Sequence, residues 1–196
     1  MSTFGVVLRR VAAFGTMVFV GFGFMFAGGY AIDDPGGWAA AGIIALMVVP
    51  AALITILAAR RPEQAIVLVY IGLGLLLAFT IVDAVSRLVD APVIPMTALV
   101  LAFPVAFLGL HRPRTAGRLL LAIGAIPILG EVLVGIVRGG DGGFFLHLGG
   151  SSGAAAIPLI IFALLFFVAA AMTPAQPRAQ DRPTPTGTPG RTPVPH

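Results

Sequence analysis

Residues 38–58 read WAAAGIIALMVVPAALITILA, 21 consecutive residues without a charge, opened by Trp38 and followed closely by Arg60 and Arg61. A hydrocarbon core ~30 Å thick is crossed by ~17 to 25 helical residues, so this stretch is long enough to span a bilayer. The apolar run is continuous, whereas a lipid-facing strand alternates polar and apolar positions over ~10 residues. Only helices and closed barrels satisfy every backbone group without water, and continuity selects the helix. Trp38 at one end and the two arginines at the other fit the headgroup regions that flank such a span.

Working outward, five further stretches pass the same test: 11–30, 65–84, 93–110, 118–137 and 154–172. The sequence predicts an all-α polytopic membrane protein, a bundle of six transmembrane helices arranged as three tandem helical hairpins. Composition agrees, with 58% hydrophobic and only 10% charged residues, against roughly 25% charged in a soluble domain. The mean hydropathy is +1.03. The apolar stretch of the first span, ~20 residues, is longer than the 7 to 15 of a secretory signal core, so it reads as a span. A head (residues 1–10), short connections and a tail (residues 173–196) are each too small for a soluble domain, which leaves one transmembrane domain over residues 11–172. The tail carries seven prolines among Thr, Gln, Gly and Arg and is expected to be disordered.

All twelve basic residues are arginines. Ten of them (9, 10, 60, 61, 112, 114, 118, 178, 182 and 191) fall on one side of the predicted spans, with Glu63 and Asp181 as the acids there. Arg87 and Arg138 fall on the other side with Asp33, Asp34, Asp83, Asp90, Asp141 and Glu131. The positive-inside rule then places both termini in the cytoplasm of a cell membrane, most simply the cytoplasmic membrane of a bacterium. A basic inner rim is attracted to anionic headgroups by ~1 kcal/mol per arginine near the surface, so the expected partner is the bilayer, and no nucleic acid is needed to explain the charge.

Glycines at 72, 74, 130 and 135, together with Gly21 and Gly28 beside Met17 and Met25, suggest that the odd-numbered helices pack centrally, because small residues let backbones approach. Phe19, Phe22 and Phe26 form a second face of the first span, and Tyr30 matches Trp38 at the outer boundary. Pro50, Pro104, Pro127 and Pro158 lie inside spans, which neighbouring groups make tolerable.

Little chemistry is visible. Cysteine is absent, which removes disulfides, thiolate metal sites and CxxC redox chemistry. The Gly150–Gly153 stretch, Gly-Ser-Ser-Gly, has the GxSG form seen around the serine of rhomboid-type intramembrane proteases. Such an enzyme needs a histidine on a later helix to take the serine proton, and the only histidine after Ser152 is His196 in the tail. His111, His147 and His196 lie in different segments, without metal-helix spacing. No catalytic residues, no metal and no cofactor are expected, and the chain does not read as an enzyme.

Glu131 stands against its surroundings. A charge at the centre of a span costs ~2.5 to 3.5 kcal/mol, which the twelve Leu, Ile and Val residues between 119 and 137 offset by about 5 kcal/mol. Such a carboxyl is a functional candidate by default; pairing with Arg138, seven residues on, is the alternative. Asp83, Arg87 and Asp90, spaced four and three apart, share a helix face and read either as a rim ion-pair ladder or, with Glu131, as a polar ligand or ion pathway. The glycine-rich stretch 138–153 is a linker or an interfacial lid. In size, six spans and inner termini the chain resembles the S-components of energy-coupling-factor transporters, an architectural likeness that implies a small-solute transporter or its membrane-embedded subunit, with a small solute as ligand. The alternative is a non-catalytic accessory or scaffolding protein whose partners are other membrane proteins.

Overall fold

The computed structural model describes residues 3–33, 37–86, 93–138 and 151–172, and the predicted tail lies outside them. Six helices follow in order: α1 (Thr3–Asp33), α2 (Gly37–Arg60), α3 (Pro62–Ser86), α4 (Val93–Gly109), α5 (Pro113–Arg138) and α6 (Ser151–Ala171). No strand occurs among the described residues. Five of the helices are long and apolar enough to cross a membrane, while α4 is apolar but has only 17 residues. Its length of ~26 Å at 1.5 Å per residue falls a little short of a ~30 Å core. Among the described residues the fold is therefore all-helical and compatible with a multi-pass membrane protein.

Local sequence explains the helix ends. Arg61 alone separates α2 from α3: its N–H donates to Leu57 and closes α2, and its carbonyl accepts from Gln64 and Ala65 to open α3. Pro62 follows at the first helical position, where its fixed φ suits the helix and its missing N–H would have had no partner. The same device recurs at α5, where Arg112 donates to Leu108 and accepts from Ala116, and Pro113 follows. Glu63 and Arg112 form an ion pair that ties these two starts together. Gly37 begins α2 with φ +57°, a left-handed conformation that favours glycine. Helix α1 begins at Thr3, taking Arg9 and Arg10 into the helix well ahead of the span expected from 11, since no proline interrupts the stretch before them and the one glycine, Gly5, costs only about 1 kcal/mol. Pro50, Pro104, Pro127 and Pro158 all lie inside continuous helices.

The centre of the bundle is α4, which packs against each of the other five helices. This corrects the expectation that the odd helices are central. Buried positions cover most of α4, among them Ala98, Ala102, Val105 and Leu108, and leave Val93, Met96, Val100, Phe103 and Phe107 as a half-buried stripe. The tandem hairpins also take a different form: α5 and α6 make the most extensive contact in the molecule, whereas α1 and α2 touch only lightly and α1 packs more on α4 and α6.

Glycine explains the close fit, at Gly72 and Gly130 among the positions expected and at Gly23 and Gly109, which were not. A Cβ on Gly23 would stand 2.4 Å from Leu99, one on Gly72 2.7 Å from Leu101, and one on Gly109 2.3 Å from the Phe166 ring. Each glycine is a notch that receives a large side chain from the next helix, which maximises dispersion contact where lipid supplies no hydrophobic drive. Gly21, Gly74 and Gly135 meet nothing within 4 Å. Of the three phenylalanines expected on one face of α1, Phe19 packs on Phe162, whereas Phe22 and Phe26 are exposed. The buried hydroxyls of Thr16 and Thr80 donate to Ala12 and Leu76 one turn earlier, so neither brings an unsatisfied group into the core.

Candidate functional site

The site is built on the seam between α5 and α6. Gly117 and Gly124 lie seven residues apart on α5. A Cβ on Gly117 would come within 3.1 Å of the Ala163 carbonyl oxygen, and one on Gly124 within 3.2 Å of the Ala156 carbonyl oxygen. Seven residues are close to two helical turns, so both glycines lie on one line and bring the two backbones together. Glu131 is the next member of that heptad series. Its carboxylate meets α6 as the glycines do, and the Ser152 hydroxyl donates to Glu131 Oε1 at 2.7 Å. Ser152 is 7% exposed, and Glu131 is half-buried.

The arrangement stabilises the carboxylate within the bundle. A hydrogen bond to a charged acceptor contributes ~1.5 to 3 kcal/mol, comparable with the ~2.5 to 3.5 kcal/mol that a carboxylate costs at the centre of a span. The Oε1 oxygen of Glu131 is thus held on the seam with α6. The adjacent Gly130 faces the opposite neighbour: a Cβ there would stand 3.0 Å from the Thr80 methyl of α3. Asp83 follows Thr80 by about one turn and is half-buried, so α3 brings a second carboxyl to the same end of the bundle. Arg87 and Asp90, expected beside it, lie outside the described residues, as do 139–150 of the glycine-rich connection; the side chain of Arg138 is likewise not described.

The structure therefore joins Glu131 to Ser152, a partner that sequence reasoning had weighed only as a nucleophile. One signal was present, the heptad line of Gly117, Gly124 and Glu131, which places the acid on the face that α6 covers. Ser152 donates its proton toward a carboxylate, while His111 lies at the opposite, arginine-rich end, with its ring 6.5 Å from that of Phe107. Among the described residues no three His, Asp or Glu side chains are grouped to hold a metal ion. Comparison of the chain with protein-family models, with curated proteins and with solved structures finds no match.

Proposed function

We propose that this chain handles a small solute in the membrane, as a transporter or as the membrane-embedded subunit of one, with Glu131 on the solute or ion pathway. The observation that carries this reading is the half-buried carboxylate held by buried Ser152 at the junction of α5 and α6. An acid in a span is costly, and a protein that retains one uses it for ion relay or ligand pairing more often than for packing. Asp83, and beyond it Arg87 and Asp90 in the sequence, would supply further charge at that end.

The test is Glu131→Gln in purified, reconstituted protein. The amide keeps the shape and can still accept from Ser152, but it does not titrate. Loss of a pH-dependent uptake or solute-binding signal, with melting temperature unchanged, supports the pathway role; unaltered uptake assigns Glu131 to packing alone.

A second reading, an accessory protein that binds other membrane proteins, is favoured by α2. Trp38, Leu46, Leu53 and Ile56 on that helix are 94, 76, 61 and 53% exposed, a long apolar surface that a partner helix would cover. Native mass spectrometry separates the two readings, since a retained solute supports the first and a retained protein subunit the second.

A further inference from the structure

Between α3 and α5 runs an open groove of about 660 Å³, lined on α3 by Tyr70, Gly74 and Leu77 and on α5 by Ala122, Ala125 and Leu129. Its volume falls within the ~300 to 1,000 Å³ of single-ligand sites. The concavity has a cause in the sequence. Gly74, Ala122 and Ala125 are exposed and small, whereas the walls are Tyr70, Leu77 and Leu129. Across a lipid-facing surface these small residues leave a furrow that only another apolar chain fills.

The stripe that floors the groove on α5 continues into charge. Positions 114, 118, 122, 125, 129 and 132 recur at three- and four-residue intervals and so share one helix face. The first two are Arg114 and Arg118, both exposed. Tyr70, 55% exposed, lines the same end of the groove on α3. Glu63, the acid at that end among the described residues, is engaged by Arg112 rather than by either arginine of the stripe. Lengths agree as well. From Ala122 to Val132 the groove follows ~15 Å of helix, a length comparable with one acyl chain, which spans about half of a ~30 Å hydrocarbon core. Arg118 sits ~6 Å, one turn, beyond its mouth.

We propose that the α3–α5 groove is a specific site for one anionic phospholipid, with an acyl chain along Gly74, Ala122 and Ala125 and the phosphate against Arg118 and Arg114. Basic positions at the end of an intramembrane groove recognise anionic headgroups, and the apolar furrow fixes where the chain lies. Tyr70 adds a hydroxyl at the arginine end of the groove. The site is independent of the transport reading, because Glu131 lies on the opposite face of α5, toward α6.

The test uses the full chain, delipidated in detergent and titrated with phosphatidylglycerol or with phosphatidylcholine of the same acyl chains, read by native mass spectrometry. One phosphatidylglycerol per chain should bind in preference to phosphatidylcholine. The Arg114→Gln and Arg118→Gln double variant should lose that preference, by about thirtyfold at about fivefold per arginine. Gly74→Leu and Ala125→Leu fill the groove from positions that face open space or are exposed, so they should fold normally and weaken both lipids. Gly135→Leu, also into open space, is the control and should change neither. Equal binding of the two lipids by the native chain would overturn the proposal, as would undiminished phosphatidylglycerol binding in both groove-filling variants.

Discussion

Helices α2 and α4 are nearly indistinguishable as strings of residues and occupy opposite places in the molecule. Both are almost wholly apolar, both carry an internal proline, at Pro50 and Pro104, and neither has a polar stripe. Yet α4 has no exposed residue and is buried over most of its surface, while α2 buries little beyond Ala51 and Ala58, seven residues apart. In water such a pair could not exist, because a helix apolar all round must be buried. In a bilayer, lipid chains and protein side chains are equally good apolar surroundings, so hydropathy does not sort helices between centre and edge. What distinguishes α4 is shape: Leu99 and Leu101 enter notches at Gly23 and Gly72, and Gly109 in turn receives Phe166.

The comparison is sharpened most by attacking that shape. Gly109→Val would drive its side chain into the fully buried Phe166 ring, and overpacking of this kind costs about 3 kcal/mol. A fall of many degrees in the detergent melting temperature, or loss of folded protein, is expected; an unchanged melt would show that α4 is not the tight centre described. A smaller effect is expected on α2, where Leu46→Ala and Leu53→Ala should each shift stability by less than about 0.5 kcal/mol, as exposed substitutions do. Should either substitution strongly destabilise the protein in membranes while leaving the detergent-purified chain unaffected, α2 is covered by a partner and the equivalence of lipid and solvent exposure fails. The smallest change is expected at the arginine-rich end. The Glu63–Arg112 pair has side chains 70 and 43% exposed, so Glu63→Gln should cost no more than about 0.5 kcal/mol, and that difference should disappear in high salt.

The helices were legible because a run of apolar residues long enough to cross a bilayer has few other structural uses. The centre was not, since Gly15, Gly23 and Gly109 become notches only when Phe162, Leu99 and Phe166 are known to arrive opposite them. Gly74 and Gly135, equally prominent in the sequence, face open space. Glu131 was legible as the one acid well inside a span, but its partner was not: Ser152 lies on the next helix, and hydrogen bonding across a connection leaves no periodic trace. The residues expected to complete a polar cluster, Arg87 and Asp90, lie outside the described chain, so the site stands on Glu131, Ser152 and the nearby Asp83.

The one-residue junction at Arg61 bears on how so thinly packed a helix keeps its place. Two helices joined by a short link meet as an intramolecular pair, at an effective concentration in the millimolar range even for flexible linkers, and Arg61 leaves almost no slack. Helix α2 therefore needs no affinity of its own that would survive dilution in the bilayer. Its alanine line on the bundle need only choose an orientation, because the chain itself supplies the proximity. A helix held in this way is leashed more than docked, and its outer surface stays uncovered while its position is kept.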